Sequence, residues 1–305
     1  MFPFSYHQHS SNQFFIFLLI LVFTGVTVSA TTFTFVNKCD HTIWPGILGK
    51  PDIGTTGFEL KRGNTQTFQA PTGWSGRFWA RTACKFDYSG HGTCSTGDCG
   101  SGEINCNGNG ATPPATLAEF TLGIGSPDYY DVSLVDGYNL PMIVEANGGS
   151  GMCDMTGCGE DINRRCPSEL KVEDGDACQS ACGAFGKPEY CCSGVFGSPS
   201  SCTPSVYSQM FKSACPKSYS YAFDDATSTF TCTAADYTIT FCPSSPSLMS
   251  LMKNGQGSVE QAAVATTSWI ANMATGASAR INQPFSASMS TFFVAITFIL
   301  SYLVY

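Results

Sequence analysis

Sixteen cysteines in a chain of 305 residues constrain the fold more than any other feature of the sequence. Their number is even, and several are closely spaced, including the adjacent Cys191 and Cys192. Zinc sites usually also include histidine ligands, and only His41 and His91 lie outside the N-terminal residues 1–30. The cysteines are therefore expected to form disulfide bonds in an oxidising compartment. Neither a metal ion nor a cofactor is expected.

Residues 1–30 have the composition of a signal peptide, which predicts entry into the secretory pathway. Their apolar core, Phe14–Phe23, is too short to span a bilayer. The small residues within Val28–Ala30 suit cleavage, so the mature chain is expected to begin at Thr31. Because residues 1–13 contain no Lys or Arg, a retained signal anchor is the alternative.

The following segment, 31–150, shows the two-residue periodicity of half-buried strands. Phenylalanine alternates with threonine in Thr31–Lys38, and Gly and Pro separate the later short runs. Alternation returns at Phe230–Cys232 and Tyr237–Cys242. This pattern predicts a mainly β protein built as a β-sandwich.

Residues 153–215 differ, because cysteines are dense there and alternation disappears. Short helical signals occur at Asp161–Arg165 and Asp176–Ala184. A clearer helix is predicted to follow Thr203 as its N-cap, with Pro204 at the first helical position. Disulfides must stabilise such a region where a core cannot. The segment is expected to form an inserted lobe of loops and short helices.

Three carboxylates lie on predicted strands and strand ends within Thr116–Met142. Glu119 points away from the apolar face of its strand, and Asp131 lies on the polar face of the next. The Asp136–Gly137 pair is a turn signal that bends Asp136 toward the space occupied by Asp131. Paired carboxylates across a cleft can bind sugars or hydrolyse a glycosidic bond.

The composition argues against several other functions. The net charge is −8 and no basic cluster occurs, so nucleic acid is not an expected partner. The sequence has no G-x-S-x-G motif and no Gly-rich phosphate loop. Charged residues make up only 12% of the chain, about half the usual quarter, which suits a surface that contacts sugar hydroxyls.

The motifs GRFWARTACKFD, GTCSTGDCG, TLAEFTL and YDVSLVDGYNLPM are similar to those of thaumatin-like proteins, the fifth group of plant pathogenesis-related proteins. The resemblance extends from Thr32 to Pro243 and includes all the cysteines. It implies one thaumatin-like domain over 31–243, with a sandwich at 31–150 and 225–243 and the disulfide-rich lobe at 153–215. The implied disulfides are Cys39–Cys242, Cys84–Cys94, Cys99–Cys106, Cys153–Cys232, Cys158–Cys215, Cys166–Cys178, Cys182–Cys191 and Cys192–Cys202.

The resemblance also implies an acidic cleft that accommodates β-1,3-glucans. Its residues, matched by motif position, would be Arg77, Glu119, Asp131, Asp136 and Asp224. Asp225 directly follows Asp224. Arg81 shares a strand face with Arg77. Without the resemblance, both arginines would be interpreted as residues of a solvated strand face. The resemblance assigns Arg77 to the cleft and leaves Arg81 as a structural residue.

The implied function is that of a monomeric, defence-related, antifungal protein that binds β-1,3-glucan or another cell-wall polysaccharide. The alternative is a weak endo-β-1,3-glucanase with Glu119 as acid and Asp136 as base. A water-bridged inverting geometry would need the two carboxyls about 6.5–9.5 Å apart. A second alternative is a wall-associated developmental protein without enzymatic activity.

The resemblance stops after Pro243. Residues 244–283 have the Ser-, Ala- and Gly-rich composition of a linker, and 284–305 end in an apolar run with no Lys or Arg after it. Small residues, a polar spacer and a short apolar tail indicate a glycosylphosphatidylinositol (GPI) signal. Gly276 and Ser278 are the candidate attachment sites, followed by Asn272. The lipid would hold the protein on the outer leaflet of the plasma membrane; the alternatives are a sorting peptide cut elsewhere and release to the apoplast.

Overall fold

A computed structural model describes residues 30–172 and 176–243. The expected signal peptide (except Ala30), the linker at 244–283 and the tail at 284–305 lie outside the described residues. The three candidate attachment sites lie there too: Gly276, Ser278 and Asn272. Within the described ranges, no helix is both long and apolar enough to cross a membrane.

The secondary structure is mainly β. The strands are β1 Ala30–Asn37, β2 Trp44–Lys50, β3 Thr65–Pro71, β4 Ser75–Arg81, β5 Lys85–Phe86, β6 Gly92–Thr93, β7 Leu117–Thr121, β8 Asp128–Ser133, β9 Met142–Ser150, β10 Thr156–Cys158 and β11 Phe230–Phe241. The α-helices are α1 Ala181–Phe185, α2 Pro188–Cys191, α3 Val206–Ala214 and α4 Asp225–Ser228, and 3₁₀ turns lie at Ile162–Arg165 and Gly194–Phe196.

Strand β11 connects the two halves of a nine-stranded sheet. Its first residues, Phe230–Cys232, pair antiparallel with β8, which continues through β7 and β4 to β2. Its later residues pair with β9 on one side and β1 on the other. Ala234 has a φ of 56° at the start of the stretch that pairs with β9, and such a left-handed residue interrupts a regular ladder. The two predicted C-terminal strands are thus one strand that takes part in both halves.

Aromatic rings from the two halves pack against each other. The ring of Phe33 in β1 lies 4.9 Å from that of Phe78 in β4 and 4.8 Å from that of Phe120 in β7, measured between centroids. All three side chains are fully buried, and each stabilises the fold by about 2–3 kcal/mol through burial. Since β1 lies in one half and β4 and β7 in the other, the halves face each other. The predicted β-sandwich is confirmed.

The lobe, residues 153–215, has a smaller core. The lobe forms a buried cluster of nine residues together with Leu134 and Tyr138; four of the nine are cysteines, and Phe211 of α3 is the only phenylalanine among them. These cysteines form the Cys158–Cys215 and Cys166–Cys178 disulfides. Cross-links therefore occupy positions that apolar side chains would fill in a larger core.

The lobe helices are shorter than the sequence predicts. Helix α3 begins at Val206, because the Ser205 hydroxyl accepts a hydrogen bond from the Ser208 N–H at 3.1 Å. The expectation of Thr203 as the N-cap was therefore wrong. The helix predicted from residue 176 begins only at Ala181. Before it, the backbone of Cys178 pairs with Tyr138 in both directions at 2.8 Å, which holds that segment extended.

All sixteen cysteines are paired, and the eight disulfides join the same partners that the sequence resemblance implies. The Cys39–Cys242 bond joins the end of β1 to the end of β11 across a sequence separation of 203. The Cys153–Cys232 bond joins the lobe to the bend of β11. Together these bonds tie the first strand to the last and the lobe to the sandwich.

Candidate functional site: an acidic row on the sandwich

Three charged residues lie side by side across three neighbouring strands. Arg77 of β4 is paired with Glu119 of β7, and Glu119 is paired with Asp131 of β8. Directly opposite residues project from the same face of a sheet, so the three side chains form one row. The next residues on β4 and β7, Phe78 and Phe120, project to the other face and enter the sandwich core. Strand alternation therefore positions the row.

Arg77 and Glu119 form the more accessible end of the row. Their closest charged atoms, Nη1 and Oε1, are 3.9 Å apart, and the side chains are 18% and 16% exposed. Burial raises the pKa of Glu119, the Arg77 charge lowers it, and the Asp136 charge raises it again, with a net rise. Asp136 is therefore close enough to Glu119 to affect its ionisation.

Asp131 forms the buried end of the row, with only 2% of its surface exposed. Its Oδ2 atom has no hydrogen-bond partner among the described residues. Burial raises the pKa of Asp131 well above its ordinary value, and the charges of Glu119 and Asp225 raise it further. A buried carboxylate without a partner is costly, so this group favours the protonated form.

A turn at the end of β8 holds Asp136. The Gly137 N–H donates to the Leu134 carbonyl at 3.0 Å, and Gly137 has a φ of 92°. A Cβ at Gly137 would meet the Cys178 carbonyl oxygen at 2.7 Å, so glycine is required both by the backbone and by the space. Burial raises the pKa of Asp136, and the Arg77 charge opposes that rise. The charge of Asp136 therefore acts on Glu119, and that of Arg77 acts on Asp136, whereas Asp136 is not among the main causes of the raised pKa of Asp131.

Asp224 has a separate set of partners. Its Oδ2 lies 3.0 Å from Nζ of Lys212 on α3 and accepts hydrogen bonds from the Ser220 N–H at 3.0 Å and the Ser220 hydroxyl at 2.8 Å. Asp225 instead accepts a hydrogen bond from the Tyr219 hydroxyl at 3.0 Å. Of the two adjacent aspartates, Asp225 is the one whose charge raises the pKa of Asp131. The sequence analysis missed both Tyr219 and Asp225.

Arg81 is a structural residue. It is fully buried and donates to the carbonyl oxygens of Trp44 at 3.0 Å and Glu103 at 3.2 Å, and also to that of Ile104. Burial lowers the pKa of Arg81 to about 10. The solvated strand face was therefore the wrong interpretation for this arginine, which braces the Cys99–Cys106 loop instead.

A pocket in the lobe is lined partly by hydroxyl groups, including those of Ser180, Tyr190, Ser220 and Tyr221. None of Arg77, Glu119, Asp131 and Asp136 lines this pocket. In the described ranges, no group of three or more His, Cys, Asp or Glu side chains is arranged to hold a metal ion.

Comparisons with known proteins give a consistent result. The thaumatin family model matches residues 37–243. "Thaumatin-like protein 1" of Arabidopsis thaliana is 62% identical, covering 79% of this chain and 97% of the relative. "Pathogenesis-related thaumatin-like protein 3.5" of Cryptomeria japonica is 56% identical, covering 74% and 96%. A "Glucan endo-1,3-beta-glucosidase" of Prunus avium is 50% identical, covering 74% and 95%.

Proposed function

This chain belongs to the thaumatin family, and from that premise we propose that it is a defence-related protein that binds β-1,3-glucan at its acidic row. The observation that carries the proposal is the alignment of Arg77, Glu119 and Asp131 on adjacent strands. The names of the Cryptomeria and Prunus relatives support the defence role and the glucan ligand respectively.

Sugar recognition needs both donors and acceptors, because each hydroxyl of a glucan can play either part. A protonated carboxyl can donate, an ionised carboxylate can accept, and the Arg77 guanidinium donates at the accessible end of the row. Hydrogen bonds to charged groups contribute about 1.5–3 kcal/mol each. A row of such groups therefore favours a neutral, hydroxyl-rich chain.

The proposed place of action is outside the cell. The composition of residues 1–30 and 284–305 supports export followed by a lipid anchor on the outer leaflet, with release to the apoplast as the alternative. In either place a monomer would meet fungal or plant wall glucan, and binding would harm fungal surfaces. Phospholipase C specific for phosphatidylinositol should release the protein from intact cells; retention after treatment would contradict the anchor.

Retention on insoluble β-1,3-glucan tests the binding proposal. The purified protein should be retained, and Glu119→Gln should reduce retention, because it removes the charge at the centre of the row. Glu59→Gln makes the same chemical change at an exposed residue and should be retained like the unaltered protein. Equal retention of both variants, or no retention of the unaltered protein, would contradict binding at the row.

A weak endo-β-1,3-glucanase is the second candidate. The observation that favours it is the raised pKa of Glu119, since a general acid must hold its proton near neutral pH. Asp136 would serve as the base. Reducing ends released from laminarin should disappear in both Glu119→Gln and Asp136→Asn; release that persists in both variants would exclude this pair.

A further inference from the structure

The lobe carries a patch of three aromatic rings, one from each of its α-helices. Phe185 ends α1, Tyr190 lies in α2, and Tyr207 lies in the first turn of α3. The ring centroids of Phe185 and Tyr190 are 5.5 Å apart, those of Phe185 and Tyr207 are 5.4 Å apart, and those of Tyr190 and Tyr207 are 6.0 Å apart. All three side chains are half-buried. The aromatic patch therefore presents part of its ring surface to solvent.

Covalent and polar contacts hold the aromatic patch in place. The Cys182–Cys191 disulfide joins α1 to α2, and the Cys192–Cys202 disulfide joins the end of α2 to the segment before α3. The Tyr207 hydroxyl donates to Oε1 of Glu169 at 3.1 Å, which orients that ring. A surface that is already ordered loses little conformational freedom when a ligand binds, so these contacts suit a binding site.

The pocket in the lobe begins at the aromatic patch, because Tyr190 belongs to both. The pocket has a volume of about 20 Å³, enough for one group of the size of a water molecule. Within the part of the chain that the structure describes, neither the Tyr190 hydroxyl nor the Tyr221 hydroxyl has a hydrogen-bond partner. Both tyrosines line the pocket, so two hydroxyl groups are available to donate to or accept from a small polar group.

The charge of the pocket restricts the ligand further. Of the described residues that line it, Glu189 is the only one with a charged side chain. A carboxylate accepts hydrogen bonds from hydroxyl groups and repels anions. The pocket therefore favours a neutral, hydroxyl-bearing group over an acidic one.

A sugar unit matches both features, because its ring has an apolar face of C–H groups and an edge of hydroxyl groups. The C–H face can pack on an aromatic ring, and a hydroxyl group has the size that the pocket accepts. We propose that the aromatic patch and the pocket form a second carbohydrate site, in which one unit of a neutral polysaccharide lies against Tyr190 and inserts a hydroxyl group into the pocket. This site is separate from the acidic row, since no residue of the row lines the pocket.

This inference rests on the proposed function only for the choice of ligand, β-1,3-glucan. The two sites recognise the sugar by different means, because the row uses charged groups and the lobe uses aromatic surface. A wall polymer presents many sugar units, so occupation of a second site strengthens retention on the polymer without any new contact at the row.

Chemical-shift mapping of the Glu119→Gln protein with a soluble β-1,3-glucan oligosaccharide tests the inference, because this variant weakens the row and leaves the lobe unaltered. Saturable shifts should remain at the ring signals of the aromatic patch and at the amides that line the pocket. Adding Tyr190→Leu should weaken the affinity measured from these signals at least about tenfold. Adding Tyr88→Leu makes the same change at a fully exposed tyrosine between β5 and β6 and should leave the affinity unchanged.

The absence of saturable shifts at the aromatic patch, or equal affinity after Tyr190→Leu and Tyr88→Leu, would overturn the inference. If Tyr190→Leu does not fold, Tyr207→Leu removes another ring of the patch and should weaken the affinity in the same way. Shifts of the patch signals with protein concentration, without any sugar, would show that a second copy of the chain covers the patch and would also overturn it.

The same mapping on the unaltered protein separates this inference from the proposed function. Saturable shifts at the lobe alone would reject glucan binding by the row and support the second site. Saturable shifts at the row alone would support the proposed function and overturn the second site.

Discussion

The sandwich and the lobe are stabilised by different means, although one chain forms both. Edge-to-face and tilted aromatic rings fill the sandwich core, as between Phe33, Phe78 and Phe120. The lobe buries fewer apolar residues, and disulfides supply nearly half of its core cluster. The comparison indicates that the sandwich can hold a precise row of charges, whereas the lobe depends on cross-links to keep its loops in place.

The largest effect is expected from the bond that closes the sandwich. Replacing Cys39 and Cys242 together by alanine should lower the free energy of unfolding by about 5 kcal/mol, because the bond spans a sequence separation of 203. Guanidinium unfolding followed by tryptophan fluorescence measures it. A loss below about 1 kcal/mol would mean that the aromatic core holds the two ends together without the bond.

The next largest effect is expected within the aromatic core. Phe78→Ala should lower the free energy of unfolding by about 4 kcal/mol, since the ring is fully buried and contacts both halves. Phe86→Ala is the matched control: its ring lies in the short β5 strand and is only partly buried, so a smaller loss is expected. Equal losses would contradict the view that rings between the halves stabilise the sandwich.

A lobe disulfide should have a smaller and local effect. Replacing Cys192 and Cys202 by alanine opens a loop with a sequence separation of 10, which corresponds to about 3 kcal/mol. Hydrogen exchange should accelerate around α2 and leave the amides of β7 and β8 protected. Faster exchange in β7 and β8 would show that the lobe and the sandwich unfold together, which would contradict their separate stabilisation.

The smallest effect concerns pH. Folding raises the pKa of Asp131. Above the ordinary aspartate range, the unfolded chain has therefore released a proton that the folded protein still binds at Asp131. The free energy of unfolding should therefore fall with rising pH until Asp131 has ionised in the folded state. Asp131→Asn should flatten this dependence, measured by denaturant unfolding from about pH 4 to about pH 8. A slope unchanged in the variant would contradict the assignment.

Local patterns in the sequence predicted the faces of the strands. Alternation in TLAEFTL correctly separated Glu119 from Phe120, and the Asp-Gly signal correctly predicted a turn at Gly137. These two predictions succeeded because they depend on residues within a few positions of each other. That Asp136 shares the space of Asp131 stays a prediction. The domain boundaries and the role of each cleft residue stay predictions.

The parts that could not be predicted depend on contacts between distant segments. Tyr219 lies beside β8 because its backbone pairs with Val132 and Leu134, and no periodicity indicates that pairing. Arg81 is buried because carbonyl groups from a cysteine loop surround it, which a strand pattern cannot show. The start of α3 was misplaced because Thr203 and Ser205 are both residue types that cap helices, and the sequence analysis considered only Thr203.

The most direct test of glucan binding by the acidic row is chemical-shift mapping with a soluble β-1,3-glucan oligosaccharide. Saturable shifts should concentrate at Arg77, Glu119, Asp131 and Asp136, and Glu119→Gln should weaken the affinity at least about tenfold, or 1.4 kcal/mol. The exposed Glu59→Gln variant should bind like the unaltered protein. Saturable shifts confined to another surface, or none at all, would contradict the assignment of the row as the glucan site.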